Sequence, residues 1–373
     1  MSVGIYVHLP FCPYICPYCD FAKWTYRSSS AERYLDALYA EAAAAPALAA
    51  STLYFGGGTP NTTPAPRLIE LVARLRERFG LGAGSEISIE ANPEPELCRE
   101  FARYRDAGIT RISFGVQSLI EEELRVLGRR HRPPDVESAV RSARDAGFTD
   151  VSIDLMFAVP GQTLDSWERS LEAVIALAPD HVSTYGLTVE AGTPYARWFA
   201  VEPAAFASNE LEAEQYRTAI ERLQAAGFEH YEISNFARPG HRCLHNLNYW
   251  RNGEYLGLGV GAASFLGGTR RVHTRNLEEY ERAALSGESI PGSSERLVGE
   301  ARVGEAAMLA LRTDEGVDLR IFRERYEIDF LSLYRRPIRE LQDAGMLEVT
   351  TTHVRLTHAG RFVANDVCGE FIA

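Results

Sequence analysis

The sequence has no apolar run of about 18 residues or more, and no basic stretch leading into a short apolar one at its start. Neither a membrane-crossing helix nor a secretory leader is therefore expected. Cysteine is scarce: six in 373 residues, at positions 12, 16, 19, 98, 243 and 368. Three are crowded and three scattered, which is not a disulfide framework. Clustered free thiols suit a reducing compartment, so the cytoplasm is the expected location, with peripheral attachment to a membrane left open. Positive charge is also short. Lys and Arg number 39 against 51 Asp and Glu, a formal charge of −12, which argues against a nucleic-acid backbone as the main partner. The locally basic stretch 125–132 reads as a solvated face or a pocket for one acidic ligand.

What is present is an ordinary soluble composition, 46% hydrophobic and 24% charged, in a chain long enough for one large domain and a smaller one. Apolar segments near 3–9, 52–55, 87–91, 111–116, 151–156 and 181–187 read as strands. Helix-period stretches near 31–44, 66–79, 95–107, 120–127, 134–146 and 164–177 alternate with them. That order predicts an α/β fold with a parallel sheet and helices outside. Several helices end in Ala-Gly followed by an apolar residue, as at Gly108, Gly147 and Gly227, which is C-cap chemistry. Further on, 208–226 predicts a helix, 230–235 a strand, and 257–264 is a run of small residues. After about residue 295 the composition becomes charged and helical. It ends in a helix over 331–344, interrupted by or starting at Pro337, and a hairpin over 345–357, which reads as winged-helix-like. The division expected is 1–295 and 296–373. Arg335, Arg336 and Arg339 are largely offset by Glu340 and Asp343, so that shape does not imply a DNA binder.

Cys12, Cys16 and Cys19 follow the first strand with spacing C-x3-C-x2-C, and Phe21 cannot supply a further ligand. Closed zinc sites want four ligands. A 4Fe–4S cube takes one thiolate per iron, so three leave one iron open. The bland alternative is a set of buried thiols, but Pro13 and Pro17 hold the segment in a loop. The string His8-Leu9-Pro10-Phe11-Cys12 through Tyr18-Cys19-Asp20-Phe21 resembles the radical S-adenosylmethionine (SAM) superfamily in its coproporphyrinogen-oxidase-like branch. The resemblance runs over essentially the whole chain. It implies a partial (β/α)6 barrel rather than a flat sheet, with the amino and carboxylate groups of SAM chelating the open iron. It also implies an electron transfer that cleaves the sulfonium to a 5′-deoxyadenosyl radical.

Other stretches gain meaning beside it. Phe55-Gly56-Gly57-Gly58-Thr59-Pro60 closes the second strand, where a tight turn or a ligand loop would both suit glycine. No Lys-Ser/Thr follows, so it is not a P-loop. Glu90 and Gln117 end strands, and Asp154 sits inside an apolar one, where it must be paired or bind something. Arg129 is a candidate partner for Asp154 or a fork for the SAM carboxylate. The resemblance implies that Gly57, Gly58, Thr59, Glu90, Gln117, Arg129 and Asp154 bind SAM, and that Tyr14 is the aromatic residue beside the cluster.

Cys243-Leu244-His245-Asn246-Leu247-Asn248-Tyr249-Trp250 lies outside the barrel repeats. A lone histidine is commonly a satisfied structural residue. Imidazole or thiolate can nonetheless ligate haem iron, and flat aromatics suit a porphyrin. H-N-x-x-Y resembles the haem chaperones of this branch, which implies haem binding with His245 as the leading ligand and Cys243 in reserve. The oxidases carry a long segment ahead of their cysteines and a further cysteine in place of Phe21, whereas eleven residues precede Cys12 here. The expectation is a chaperone that binds a cluster, SAM and haem, and passes haem to apo-haemoproteins, respiratory ones at the membrane among them. Oxidative decarboxylation of porphyrinogen propionates and radical methyl transfer are the enzymatic alternatives.

Overall fold

The computed structural model describes residues 3–372. Six strands, β1 (Val3–Leu9), β2 (Ala50–Gly57), β3 (Glu86–Ala91), β4 (Arg111–Gln117), β5 (Asp150–Phe157) and β6 (His181–Gly186), pair in sequence order and in parallel. β1 and β5 are buried almost continuously, as expected of strands covered on both faces. The covering helices carry one apolar stripe each. In the helix Ala65–Phe79, Leu68, Leu71, Val72, Leu75 and Phe79 recur at helical spacing and are buried. The turn after the helix Phe101–Asp106 closes as the sequence predicts: Gly108 takes φ 103°, and Ile109 N–H donates to Tyr104 O at 3.1 Å.

The sheet continues on both sides. Beyond β6 lie β7 (Glu229–His230) and β8 (Asn235–Ala237), antiparallel to each other. The strand expected over 230–235 is therefore broken. Buried Glu232 accepts from Ser234 N–H at 3.1 Å and turns the chain between the two. Beyond β1, β9 (Tyr255–Leu258) is parallel to it. Next to β9 come antiparallel β10 (Ala263–Leu266), β11 (Thr269–His273) and β12 (Gly292–Glu295). The helix expected over 95–107 is split into a single turn at Pro95–Leu97 and the helix Phe101–Asp106.

A second core gathers Val303, Phe322, Phe330, Ile338, Val354 and Phe371. Among the described residues six helices, Gly299–Leu311, Leu319–Tyr326, Phe330–Leu333, Arg335–Asp343, His358–Phe362 and Ala364–Gly369, accompany a three-stranded sheet. Its strands are β13 (Val317–Asp318), β14 (Leu347–Val349) and β15 (His353–Leu356), in the order β13-β15-β14. The arrangement is winged-helix-like. Pro337 falls in the first turn of Arg335–Asp343, where its missing N–H costs nothing.

Candidate functional site

The carboxyl ends of the parallel strands open into a cavity of about 460 Å³. Cys12, Tyr14, Cys16, Cys19, Gly57, Gly58, Thr59, Glu90, Gln117, Arg129 and Asp154 all line it. Residues spread over more than 140 positions of sequence thus converge because each lies at the end of a neighbouring strand, or in the loop after one. Such convergence is expected where parallel strands present their loops to one face.

The cysteine loop is tied at both ends. Phe11–Cys12 pairs in parallel with Trp24–Thr25, Trp24 N–H donates to Pro10 O and Tyr26 N–H to Cys12 O, each at 2.8 Å. Within it, Cys19 N–H donates to Cys16 O at 3.2 Å. Burial pushes the Cys12 thiol up to about 11 and also raises Cys19. Among the described residues no three His, Cys, Asp or Glu side chains are spaced to hold a single metal ion. Three thiols lining one cavity are compatible with one thiolate for each of three irons of a cube.

The glycine loop is cut to fit the cysteines. Gly58 N–H donates to Leu9 O at 2.9 Å and Thr59 N–H to Phe11 O at 3.0 Å. A Cβ on Gly58 would stand 2.7 Å from the Pro10 carbonyl carbon and 3.0 Å from Cys12 Sγ. Gly57, at φ 115°, would drive a Cβ into the His8 ring at 2.5 Å. Its N–H donates to Glu90 Oε2 at 3.1 Å, and Tyr54 OH donates to Glu90 Oε1 at 2.9 Å. Burial, then the neighbouring Asp154 carboxylate, pushes Glu90 up to about 7. Burial raises Asp154 as well.

Asp154 accepts from Ser113 Oγ at 3.0 Å. Arg129 hydrogen-bonds elsewhere: Nη2 donates to Asn92 Oδ1 at 2.9 Å and Gly115 O at 2.5 Å, and Nη1 approaches Cys16 Sγ at 3.7 Å. Of the two roles expected for Arg129, that of hydrogen-bond partner to Asp154 is thus taken by Ser113 and Ser183. Arg129 Nε remains buried and unpartnered, a donor held ready on the cavity wall. Gln117 sits at φ 70° beside a register shift in the β4–β5 pairing, which re-aims the strand end. Tyr14 OH donates to Glu94 Oε1 at 2.5 Å, and its ring lies under Arg130 at 4.6 Å.

His245 is placed apart from this group. It is 1% exposed and does not line the cavity. Nδ1 shares a hydrogen bond with Thr52 Oγ1 and Nε2 one with Tyr249 OH, both at 2.8 Å, and the ring stacks on Tyr54 at 5.1 Å. Burial lowers it to about 3. With both nitrogens engaged, it has no lone pair to offer an iron in this conformation. The satisfied-histidine reading fits the geometry, and the haem-ligand expectation does not. Cys243 lines the cavity where the strands begin, 2% exposed, with Sγ 3.6 Å from Glu86 Oε1. Burial, then Glu86, pushes it up to about 12. Tyr54, Asn92, Glu94 and Ser113 escaped the sequence reading. Only the E-x-N-P string around Asn92 offered a signal.

Residues 6–174 match the Radical SAM superfamily and residues 299–363 the HemN C-terminal domain. The heme chaperone HemW of Bacillus subtilis (strain 168) is 34% identical over 373 residues, covering 98% of both chains. That of Mycobacterium tuberculosis (strain H37Rv) is 37% identical, covering 98% of this chain and 93% of its own. Among solved structures, the radical SAM enzyme coproporphyrinogen III oxidase (HemN) of Escherichia coli has the same fold, with a TM-score of 0.87 at 24% identity over 99% of this chain and 90% of its own. Three thiols in one cavity with a glycine loop fitted against them, and similarity sustained from the barrel into the C-terminal helices, make this chain a member of the HemW heme-chaperone family within the radical SAM superfamily.

Proposed function

We propose that the protein is a haem chaperone that carries a 4Fe–4S cluster and SAM, binds haem and hands it to apo-haemoproteins. The observation that carries the reading is the kinship with named heme chaperones over 98% of both chains. Cys12, Cys16 and Cys19 are proposed as cluster ligands. Gly57, Gly58, Thr59, Glu90, Gln117, Arg129 and Asp154 are proposed to hold SAM, with Tyr14 beside the cluster. The chemistry such a cluster supplies when bound is one-electron reduction. The chain's own share is placement. The bare backbone of Gly57 and Gly58 admits a ligand close to Cys12, Arg129 Nε offers a donor to a carboxylate, and Glu90 and Asp154 offer acceptors to amino or hydroxyl groups. We further propose a domain boundary near residue 295 and action in the cytoplasm or at a membrane surface. Among the described residues no helix is long and apolar enough to cross a membrane.

The test is anaerobic reconstitution with iron and sulfide, haem titration, and transfer of the bound haem to an apo-haemoprotein, beside an assay for propionate loss from coproporphyrinogen. Haem binding and transfer without decarboxylated product is the expected result. Product formation without haem binding would refute the reading and leave the oxidase alternative.

A further inference from the structure

A second cavity, of about 440 Å³, lies between the sheet extension and the C-terminal helices. Phe265 of β10 forms one wall, and Leu297, Val298 and Gly299, at the start of the helix Gly299–Leu311, form the other. Arg296, Arg302 and Arg325 also line it, and Glu254 is the one acidic residue in its wall. The lining thus carries three positive charges against one negative, a surplus of two, in a protein whose formal charge is −12. Glu254 is already engaged, accepting Gly267 N–H at 2.7 Å. The acidic neighbours Glu295 and Glu305 face Arg270, at 3.7 and 2.7 Å, rather than these arginines.

The cleft's parts differ in rigidity. Arg325 is fixed, donating through Nη1 to the Arg251 carbonyl at 3.0 Å and through Nη2 to that of Asn252. It thereby clamps the end of the helix Leu244–Trp250. Arg302 lies over the Tyr326 ring at 5.1 Å. Arg296 and Arg302 are exposed side chains on the rim of the cleft. Val298 is 70% exposed at a helix N-cap, where its side chain can satisfy no backbone N–H. A polar residue would serve the isolated fold better at that position. From behind, Tyr249, Tyr255 and Phe265 form a continuous aromatic file, at 4.6 and 6.3 Å, that joins His245 to the cleft wall. Within the H-N-x-x-Y motif His245 is buried, Asn246 lines the first cavity, and Tyr249 is half-buried against Tyr255.

We infer that this cleft seats the haem cargo, with the two propionates on Arg296 and Arg302 and the macrocycle against Phe265, Leu297 and Val298. The inference rests on the chaperone reading given above. A flat apolar ring with two carboxylates on one edge matches apolar walls with cations at the rim. No residue lining the cleft is His, Cys or Met. The seat therefore holds the ring by its edge and faces and leaves the iron without an axial ligand, which suits a carrier that must release it.

The experiment uses the full chain with its cluster reconstituted. Haem, metal-free protoporphyrin IX and protoporphyrin IX dimethyl ester are titrated into the wild type and into the Arg296→Glu/Arg302→Glu variant. Both arginines are exposed, so the variant is expected to fold, and circular dichroism and cluster absorbance check this. Haem and the free-acid porphyrin should bind the wild type within about threefold of each other. The ester, and haem on the variant, should bind at least about tenfold more weakly, the loss of one charge-assisted contact. Unchanged haem affinity in the variant, or haem binding without binding of the metal-free porphyrin, overturns the inference while leaving the chaperone reading intact. A wild type that binds none of the three overturns both.

Discussion

Replacing His245 with Ala separates a structural imidazole from a haem ligand. The side chain is 1% exposed, and its removal strands two hydroxyls, on Thr52 and Tyr249, beside a cavity under Tyr54. Stranded buried polar groups and lost packing together put the cost at about 3 kcal/mol near neutral pH. The pH dependence adds a signature. His245 is held near 3 in the fold by burial, against about 6.5 in the unfolded chain. Its folded value is depressed, so the unfolded state binds the extra proton and the wild type loses stability as pH falls below about 6.5. At about pH 5 that loss is about 2 kcal/mol, and the variant does not suffer it. The gap between the proteins should therefore shrink from about 3 to about 1 kcal/mol between neutral pH and about pH 5. Urea denaturation at the two pH values measures the gap, and haem titration completes the assay, with affinity changed by no more than about threefold. A variant as stable as the wild type that loses haem affinity tenfold or more would refute the reasoning and restore His245 as the ligand.

Gly58→Ala should destabilise the protein by about 1–3 kcal/mol and lower cluster occupancy, because its Cβ meets the Pro10 backbone and Cys12 Sγ. Gly82→Ala, with no atom within 4 Å of the new Cβ, should be neutral or stabilising by up to about 1 kcal/mol, and thermal unfolding of the pair checks both. Cys16→Ser should abolish the visible absorbance of the reconstituted cluster while leaving the circular dichroism of the unreconstituted protein unchanged. Arg129→Lys should weaken SAM binding about tenfold by calorimetry, since a lysine cannot hold Asn92 and Gly115 and still present a donor. Glu90 has its folded value raised to about 7, so the stability linked to it is full below about 4.5 and is lost as pH rises through 7. Glu90→Gln should accordingly gain on the wild type by about 2.5 kcal/mol between about pH 5 and pH 8 in denaturant titrations.

The sequence discloses most where chemistry and chain spacing coincide. The cysteines sit within eight residues, so their loop could be recognised before any fold was known. The six parallel strands announced themselves as apolar segments between amphipathic helices. Tyr54, Asn92 and Ser113 did not, because their parts in the site come from register. Tyr54 meets Glu90, Asn92 meets Arg129 and Ser113 meets Asp154 only once neighbouring strands are aligned. The surroundings of His245 were illegible for a related reason. Its sequence neighbours suggested flat aromatics suited to a porphyrin, whereas its partners, Thr52 and Tyr54, come from β2 almost two hundred positions away. The broken strand at 230–235 turns on Glu232, whose burial no local pattern reveals.

The short ladder between Phe11–Cys12 and Trp24–Thr25 has a bearing on how metal enters. Stapled at either side by ordinary backbone bonds, the segment between has lost much of its freedom before any iron arrives. Inorganic assembly would then meet a preorganised cradle and pay little ordering entropy. This differs from small zinc domains, whose chains gather only around the ion. The apoprotein should stand as a folded body, with the cluster a tenant rather than a keystone.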